Sequence, residues 1–204
     1  TVAKGDPSLS SFSNVTKTFG DSDFTVTAPT VANSLAGAFT YASGTVGTAT
    51  IANSGGVGTV TIVASGTTVI TATFTPTDTN NYNTATITMT LTVNGVYTVT
   101  YQYNNATGSN STVSSQFTEG GTAITLPTPT RTGYSFDGWY VASDLSGSKL
   151  GSTYSPNQSQ SIYAKWIGNT LTISYAAGSG SSGSAPTSPL TVLYGSTFTT
   201  PANT

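Results

Sequence analysis

The sequence predicts an all-β protein, and three observations support that prediction. The clearest is the run from Thr84 to Val93, in which apolar residues and threonines alternate with the period of two that a half-buried strand requires. Turn-forming Gly, Asn, Asp and Ser recur at short intervals between such runs. No stretch shows a sustained 3.6-residue period with helix caps, so we expect almost no helix.

The first half of the chain predicts about seven short strands, each with one buried face. Turns such as Gly20-Asp21 and Ser54-Gly55-Gly56 separate these strands. The predicted inward residues are Phe24, Val26, Phe39, Tyr41, Ala49, Ile51, Val60, Ile62, Ile70, Ala72, Phe74, Ala85, Ile87, Met89, Leu91 and Val93. Seven short strands in this length are typical of an immunoglobulin-like sandwich.

The composition excludes several classes of function. Of 204 residues, 5 are Lys or Arg and 7 are Asp or Glu, a charged fraction of 6%, against about 25% in ordinary globular domains. The chain has no Cys and no His, which removes thiolate nucleophiles, Ser-His-Asp triads and the usual zinc ligands. We therefore expect no enzyme activity, no catalytic residue, no cofactor and no metal.

The charge and the hydropathy also restrict the partners. A net charge of -2 supplies no basic surface for nucleic acid, which proteins bind by neutralising phosphates with Lys and Arg. The longest apolar runs are only a few residues, whereas a membrane-spanning helix needs roughly 18 to 20. The sequence thus predicts neither a nucleic-acid partner nor a membrane span in this segment.

Four segments of the first half together resemble a bacterial repeat family. They are Lys17-Thr-Phe-Gly-Asp21, Phe39-Thr-Tyr-Ala-Ser43, Gly66-Thr-Thr-Val-Ile-Thr-Ala-Thr73 and Asn80-Asn-Tyr-Asn83. Their order and spacing resemble the immunoglobulin-like repeats, of the MBG type, that occur in large bacterial surface proteins. The resemblance implies an immunoglobulin-like module at residues 7–94, with residues 1–6 as the tail of a preceding repeat.

A second set of motifs follows Gly95. It comprises Glu119-Gly-Gly-Thr122, Leu126-Pro-Thr-Pro129, Arg131-Thr-Gly-Tyr-Ser-Phe-Asp-Gly-Trp-Tyr140 and Tyr163-Ala-Lys-Trp166. In this order the motifs resemble the Listeria-Bacteroides repeat, also called the internalin B-repeat, of bacterial cell-surface proteins. The resemblance implies a β-grasp-like module at residues 95–167.

The beginning of this module occurs a second time from residue 168. Leu171-Thr-Ile-Ser-Tyr175 repeats the pattern of Tyr97-Thr-Val-Thr-Tyr101, and the stretch from Val192 to Thr197 repeats that from Gln116 to Thr122. Residues 168–204 contain no second GYxFxGW segment, so we expect an incomplete second copy there. Both ends of the chain are therefore expected to be cut from a longer tandem array.

The two resemblances imply a function without catalysis. A non-enzymatic stalk segment of an extracellular, adhesin-like repeat protein would space a head domain from the cell surface, with neighbouring repeats of the same chain as its partners. Two alternatives stay open. One is a module that binds a glycan, a host receptor or ice, and the other is a filament subunit that assembles by strand addition.

Three aspartates are the first candidates for chemistry. Asp21, Asp23 and Asp78, with a neighbouring Asn, could supply oxygens to calcium, which takes six to eight of them. The spacing of a DxDxDG calcium loop is absent. We therefore expect a turn role for Asp21 and a strand-entry role for Asp23.

Four lysines invite comparison with the internal Lys–Asn isopeptide bonds of other surface proteins, and they are Lys4, Lys17, Lys149 and Lys165. Such a bond needs a lysine, an asparagine and an acid buried together. The strand parity of Lys17 would turn it inward, but its position next to the Gly20-Asp21 turn leaves its facing open, whereas Lys165 lies between two apolar residues, which favours an outward side chain. Because Lys is rarely buried unless it is paired, solvated side chains are expected for all four.

Hydroxyl-rich segments raise two further hypotheses. Thr-x-Thr segments, as from Thr84 to Thr92, could form an ice-binding face, but Thr also favours strands and the twist of sandwich sheets spoils a flat lattice. Glycosylation sequons are expected by chance in so Ser-rich and Thr-rich a chain. They begin at Asn14, Asn105, Asn110 and Asn157.

Aromatic residues of the second half could stack on sugars. The candidates are Tyr101, Tyr103 and Tyr140. A small module without disulfides needs large buried aromatic areas, so we expect these tyrosines, with Trp139 and Trp166, in the core.

Overall fold

The structure is a computed structural model that describes residues 3–107, 112–175 and 190–199. Within these residues it consists of strands and turns with a single 3-10 turn, Ala32–Ser34, so the all-β prediction is confirmed. The chain divides into two compact units. Unit 1 is Thr1–Val96 with Thr118–Gly121, and unit 2 is Tyr97–Phe117 with Thr122–Thr204. The finer boundaries at residues 7, 95 and 168 stay predictions.

Unit 1 contains a four-stranded sheet with the order β2-β9-β8-β5 and a three-stranded sheet with the order β3-β7-β6. Strands β1 and β4 form a separate pair. The strands are β1 (Leu9–Ser10), β2 (Val15–Thr18), β3 (Phe24–Thr25), β4 (Thr30–Val31), β5 (Gly37–Ser43), β6 (Ala49–Ser54), β7 (Val57–Ile62), β8 (Gly66–Pro76) and β9 (Ala85–Asn94).

One hydrophobic core joins the two sheets of unit 1. Its buried members include Tyr41, Ile70 and Leu91 from the four-stranded sheet and Ala49 and Val60 from the three-stranded sheet. Every residue predicted to point inward is buried or half-buried. The arrangement agrees with the predicted seven-stranded sandwich, and the immunoglobulin-like assignment itself stays a prediction.

Strands β2 and β9 of unit 1 are parallel neighbours. Val15 pairs with Leu91, and Thr18 pairs with Asn94. The other pairs of the same sheet, β8–β9 and β5–β8, are antiparallel. A strand near the start of the unit is therefore hydrogen-bonded directly to the strand at its end.

Unit 2 contains a mixed four-stranded sheet with the order β11-β10-β15-β13, and the two-stranded pairs β12–β14 and β16–β17. The two middle strands, β10 and β15, are parallel. The strands are β10 (Val96–Gln102), β11 (Ser114–Thr118), β12 (Ile124–Thr125), β13 (Tyr134–Tyr140), β14 (Thr153–Tyr154), β15 (Gln160–Gly168), β16 (Thr170–Ile173) and β17 (Leu190–Leu193). The β-grasp-like description of this unit stays a prediction.

Aromatic rings form much of the core of unit 2. Trp139 is 2% exposed, as predicted, and its ring contacts those of Tyr101, Tyr103 and Phe136 at centroid distances of 5.2 to 5.7 Å. Trp166 is only half-buried, since it lies near the end of β15, but it packs against the same cluster. The expectation of a core position is therefore met fully by Trp139 and in part by Trp166.

Candidate functional site: two turns of similar geometry

Two turns of the chain have the same geometry, and each follows a strand. Thr118–Gly121 follows β11, and Leu193–Ser196 follows β17. In each turn the N–H of the last residue donates to the carbonyl of the first, at 2.9 and 3.0 Å. Gly120 and Gly195, the third residues, have φ values of 75° and 81°, a conformation that glycine adopts readily. The repeated sequence pattern therefore corresponds to a repeated local structure.

Each turn also donates a backbone hydrogen bond to the residue directly before an earlier strand. The N–H of Glu119 donates to the carbonyl of Gly95 at 2.9 Å, and the N–H of Tyr194 donates to the carbonyl of Asn169 at 2.8 Å. Gly95 lies directly before β10, and Asn169 lies directly before β16. We call this arrangement the repeat contact. Its backbone part is the same at both places.

At the second repeat contact, Tyr194 packs on residues at the start of β13. Its ring meets that of Tyr134 edge-on, with centroids 5.4 Å apart and an interplanar angle of 80°, a favourable geometry for an aromatic pair. A Cβ atom at Gly133 would overlap the Tyr194 ring, and one at Gly168 would lie 2.7 Å from the Tyr194 carbonyl oxygen. Both glycines are therefore needed for the close approach.

Asn169 connects this contact to the sheet of unit 2. Its N–H donates to the carbonyl of Gly133 at 2.9 Å, and its Oδ1 accepts a hydrogen bond from Ser135 Oγ at 2.7 Å. Its own carbonyl accepts from Tyr194. One residue thus links the start of β13 with the turn after β17.

At the first repeat contact the side chain acts differently. Glu119 Oε2 accepts a hydrogen bond from the N–H of Gly95 at 3.0 Å, so Glu119 and Gly95 exchange two hydrogen bonds. A Cβ atom at Gly120 would lie 3.9 Å from Asn94 Nδ2, an ordinary contact distance. The first contact therefore relies on a carboxylate, and the second on an aromatic ring.

A separate charged cluster surrounds Asp137 on β13. Its Oδ2 accepts a hydrogen bond from the Tyr140 hydroxyl at 2.7 Å, and the ammonium groups of Lys149 and Lys165 lie 3.5 Å from its carboxylate oxygens. The Tyr140 hydrogen bond, followed by the two ammonium groups, lowers the pKa of Asp137. Because both lysines are well exposed, at 52% and 38%, these are two surface ion pairs, and the first holds the loop residue Lys149 against β13.

The remaining lysines lie outside the core. Lys4 Nζ donates to the carbonyl of Thr79 at 2.6 Å. Lys17 Nζ lies 4.8 Å from the centre of the Phe24 ring, a cation–π contact. The structure thus gives each candidate lysine a local partner other than a buried asparagine.

The candidate calcium ligands have local hydrogen-bonding roles. Asp21 accepts the N–H of Thr18 at 2.9 Å, which agrees with its expected turn role. Asp23 accepts the hydroxyl of Thr61 at 2.8 Å. Asp78 accepts hydrogen bonds from the loop that follows it, and those that Asn81 donates lower the pKa of Asp78. In the described part of the chain, no three acidic residues come close enough to hold a metal ion.

The threonines of β9 form part of an exposed outer face. Thr86 and Thr88 point outward and pair across the sheet with Thr73 and Thr71, and Thr73 pairs in turn with Thr40 on β5. Rows of hydroxyls therefore cross the sheet from strand to strand. This is the face on which the ice-binding hypothesis depends.

The tyrosine candidates for sugar stacking belong mainly to the interior. Tyr101 and Tyr140 are buried, and Tyr103 is half-buried. The Tyr101 hydroxyl donates to Ser115 Oγ at 2.9 Å. Their rings therefore pack inside unit 2 and are not displayed on its surface.

The sequon asparagines differ in their surroundings. Asn14 Oδ1 accepts the N–H of Thr90 at 2.8 Å, which gives its side chain a structural role. Asn105 and Asn157 are exposed, and Asn110 lies outside the described residues.

Comparison with known proteins identifies part of unit 2. Residues 97–165 match the family model of the Listeria-Bacteroides repeat domain, which confirms the predicted resemblance for this part of the chain. The comparison with family models gives no corresponding support for the MBG-type resemblance of residues 7–94.

Two proteins of Evansella cellulosilytica are similar to about half of the chain. One, described as "Putative membrane protein", is 36% identical over 108 residues, which are 52% of this chain and 15% of the relative. The other, described as "Putative Gly-rich membrane protein", is 35% identical over 107 residues, which are 52% of this chain and 12% of the relative. The similarity therefore covers a small part of two much longer proteins. In the residues that our structure describes, no helix has the length and hydropathy to cross a membrane.

Proposed function

We propose that this chain is a non-enzymatic stalk segment of a bacterial extracellular repeat protein and that it resists mechanical force. The observation that carries the proposal is the strand arrangement within each unit. In unit 1, β2 lies parallel to β9, and in unit 2, β10 lies parallel to β15. In unit 1 these two strands lie near the beginning and the end of the unit, and in unit 2 they lie at the two ends of residues 97–165, which match the repeat domain.

This arrangement determines how each unit responds to tension. A force along the chain pulls the start of β2 and the end of β9 in opposite directions along their common axis. The evenly spaced hydrogen bonds of a parallel pair are then sheared together. If the two pulled ends lay at the same end of the strand pair, the bonds would open one after another. The observed geometry therefore suits a segment held under load.

The repeats and the relatives support a position at the cell surface. Residues 97–165 match a repeat domain, and the sequence pattern of its beginning recurs in the residues that form the antiparallel pair β16–β17. The two relatives are described as membrane proteins and are several times longer than the matched region. A stalk that spaces an adhesive head domain from the envelope accounts for these features, and it requires neither a cofactor nor a catalytic residue.

Single-molecule pulling tests the proposal directly. The chain lacks cysteine, so two introduced cysteines define the points of attachment. Ser13→Cys with Asn94→Cys loads the β2–β9 pair in shear. Thr18→Cys with Asn94→Cys attaches to residues that pair at one end of it. We expect the first variant to unfold at a clearly higher force at the same loading rate. Equal unfolding forces would contradict the proposal.

The rows of threonines on unit 1 favour one alternative, an ice-binding module. Thermal hysteresis and ice recrystallisation assays of the whole chain separate the two functions. The stalk proposal expects no activity in either assay. Ice shaping that Thr88→Lys abolishes, without loss of stability, would favour the ice-binding alternative.

A further inference from the structure

We propose that Asn94 is a self-modification site of unit 1, which converts to aspartate and isoaspartate when the contact between Gly95 and Glu119 opens. The reaction needs water and no cofactor, and the fold keeps the site inert while that contact is closed. All three residues belong to unit 1. The proposal goes beyond the stalk function, because it holds whether or not the segment carries a load.

Asn94 is the only asparagine of the chain that is followed by glycine. The side-chain amide of an asparagine can react with the backbone nitrogen of the next residue, and a side chain on that residue hinders the approach. Glycine has no Cβ atom and adopts the widest range of backbone conformations. Asn94-Gly95 is therefore the place in the chain where ring closure meets the least steric hindrance.

The chemistry is a substitution at the side-chain amide followed by hydrolysis. The Gly95 nitrogen gives its proton to solvent hydroxide and attacks Cγ of Asn94, so that an N–Cγ bond forms. The Cγ–Nδ2 bond breaks, and the amide nitrogen takes a proton from water and leaves as ammonia. Water then opens the cyclic imide at one of its two carbonyls, which gives aspartate or isoaspartate. No group is oxidised or reduced.

The Gly95 nitrogen is held in a state that does not favour this attack. Its N–H donates to Glu119 Oε2 at 3.0 Å, so the proton that must leave is engaged in a hydrogen bond. The negative charge of the carboxylate also disfavours a second negative charge on the neighbouring nitrogen. Gly95 is buried, which restricts the access of hydroxide. Glu119 therefore slows the first step of the reaction.

The backbone of Asn94 is also fixed in an unreactive conformation. Asn94 is the last residue of β9, it pairs with Thr18 of β2, and its carbonyl accepts the N–H of Phe19 at 2.8 Å. Ring closure needs Cγ of Asn94 beside the Gly95 nitrogen, and a strand ψ of about +115° to +135° turns these two atoms out of the ring geometry. The N–H of Glu119 holds the Gly95 carbonyl at 2.9 Å. The reaction therefore requires the end of β9 to open.

Conversion should prevent the end of β9 from closing again. Isoaspartate adds one methylene group to the backbone and so disturbs the register that pairs residue 94 with Thr18. Both products also place a carboxylate at position 94, whose Nδ2 atom now lies 3.9 Å from the place of a Cβ atom at Gly120, in the turn that contains Glu119. Two like charges repel each other there. Opening of unit 1 is thereby recorded in its covalent structure.

A comparison of the folded and unfolded chain tests the proposal without any variant. The full chain is incubated at neutral pH in buffer or in denaturing guanidinium chloride and is then digested with pepsin in acid. Mass spectrometry of the peptide that contains residues 94 and 95 gives the rate of conversion. We expect the unfolded chain to convert faster by about tenfold or more, the factor that one lost hydrogen bond to a charged group implies. Equal rates would overturn the proposal.

Glu119→Ala tests the role of Glu119, and Glu119→Gln is its matched control. Glu119→Ala removes the acceptor of the Gly95 N–H and should accelerate conversion of Asn94 in the folded chain by about tenfold or more. Glu119→Gln keeps a side-chain oxygen and should stay close to the rate of the parent. Unchanged conversion in Glu119→Ala would contradict the proposal. Slower conversion would contradict it too, because Glu119 would then be the base that takes the proton.

Asn53 is the internal reference for the folding of unit 1. Its Oδ1 accepts the N–H of Tyr41 at 2.7 Å, and its Nδ2 donates to the Tyr41 carbonyl at 2.8 Å. We expect Asn53 in Glu119→Ala to convert as slowly as in the parent. Acceleration at both asparagines would indicate general unfolding and would overturn the role of Glu119. The pulling experiment measures none of these rates, so a failure here is distinguishable from a failure of the stalk function.

Discussion

The indole N–H of Trp139 donates a 2.7 Å hydrogen bond to the carbonyl oxygen of Pro127. This bond ties β13 to the segment that follows β12, and it satisfies the polar atom of a side chain that is 2% exposed. Burial of a tryptophan together with its N–H partner is the arrangement expected of a core residue. Trp139 is therefore a structural anchor of unit 2.

Replacement of this anchor should destabilise unit 2 severely. We expect Trp139→Ala to lower its free energy of unfolding by about 3–5 kcal/mol, as large-to-small aromatic changes in cores do. Urea denaturation followed by the fluorescence of Trp166 measures the change. Val141→Ala, two residues further on and 43% exposed, is the control and should change stability by less than about 0.5 kcal/mol. A Trp139→Ala variant as stable as the parent would show that Trp139 is not in the core.

The ionisation of Asp137 should make stability depend on pH in the acid range. Its pKa is lowered in the folded state, so its contribution is complete above the unfolded value of about 3.9 and is lost as the pH falls through the lower folded value. The stability difference between the parent and Asp137→Asn should therefore be largest at neutral pH and should shrink below about pH 4. Urea midpoints at several pH values measure this dependence.

Tyr140→Phe is the matched variant for Asp137. It removes the hydrogen bond that is the main cause of the lowered pKa, and it keeps the ring over which Lys165 lies at 4.9 Å. We expect the pKa of Asp137, measured by NMR titration, to rise in Tyr140→Phe. An unchanged pKa would mean that the two lysines, and not Tyr140, hold the carboxylate ionised.

A buried glycine of β7 should tolerate no side chain. A Cβ atom at Gly58 would lie 2.7 Å from Tyr41 and 2.9 Å from Ile51. Because both neighbours belong to or pack on the core of unit 1, we expect Gly58→Ala to cost about 1–3 kcal/mol by overpacking. Gly47→Ala, where nothing lies within 4 Å of the added atom, should change stability by less than about 0.5 kcal/mol. Equal melting temperatures of the two variants would contradict this assignment.

Neighbouring positions of β9 should lose very different amounts of stability on truncation. Leu91 is fully buried and Thr90 is exposed. Leu91→Ala should cost about 2–5 kcal/mol, whereas Thr90→Ala should cost at most about 1 kcal/mol, the span of strand propensities. Chemical denaturation of both variants decides this. A larger effect at Thr90 would reverse the two faces of the strand.

The faces of β9 could be predicted from the sequence, but its neighbours could not. Alternation of Ile87, Met89 and Leu91 with threonines assigns the faces because the side-chain period of a strand is two. The parallel pairing of β9 with β2 depends on residues about 75 positions apart, such as Val15 and Leu91. Hydropathy along the chain does not tell which distant strands pair or in which register.

The same limit applies to the candidate sites. Lys149 and Lys165 meet Asp137 from positions 12 and 28 residues further along the chain, so the ion pairs could not be read from local spacing. The sequence shows Tyr194 only as an apolar residue with no predicted partner. It shows Gly133 only as a glycine next to an aromatic strand. The contact between Tyr194 and Gly133 forms because glycine has no side chain. Composition and periodicity do not predict such a contact.

The positions of the basic residues also bear on digestion by trypsin-like proteases, which cut after Lys or Arg. The chain offers five such sites. Lys17 and Lys165 lie within strands of the two sheets, and the guanidinium of Arg131 lies 3.8 Å from the centre of the Tyr134 ring. Only Lys4 and Lys149 lie outside strands and are exposed. Since a protease must bind an extended, accessible segment, the folded chain should survive in a trypsin-rich environment and be cut first beside these two lysines.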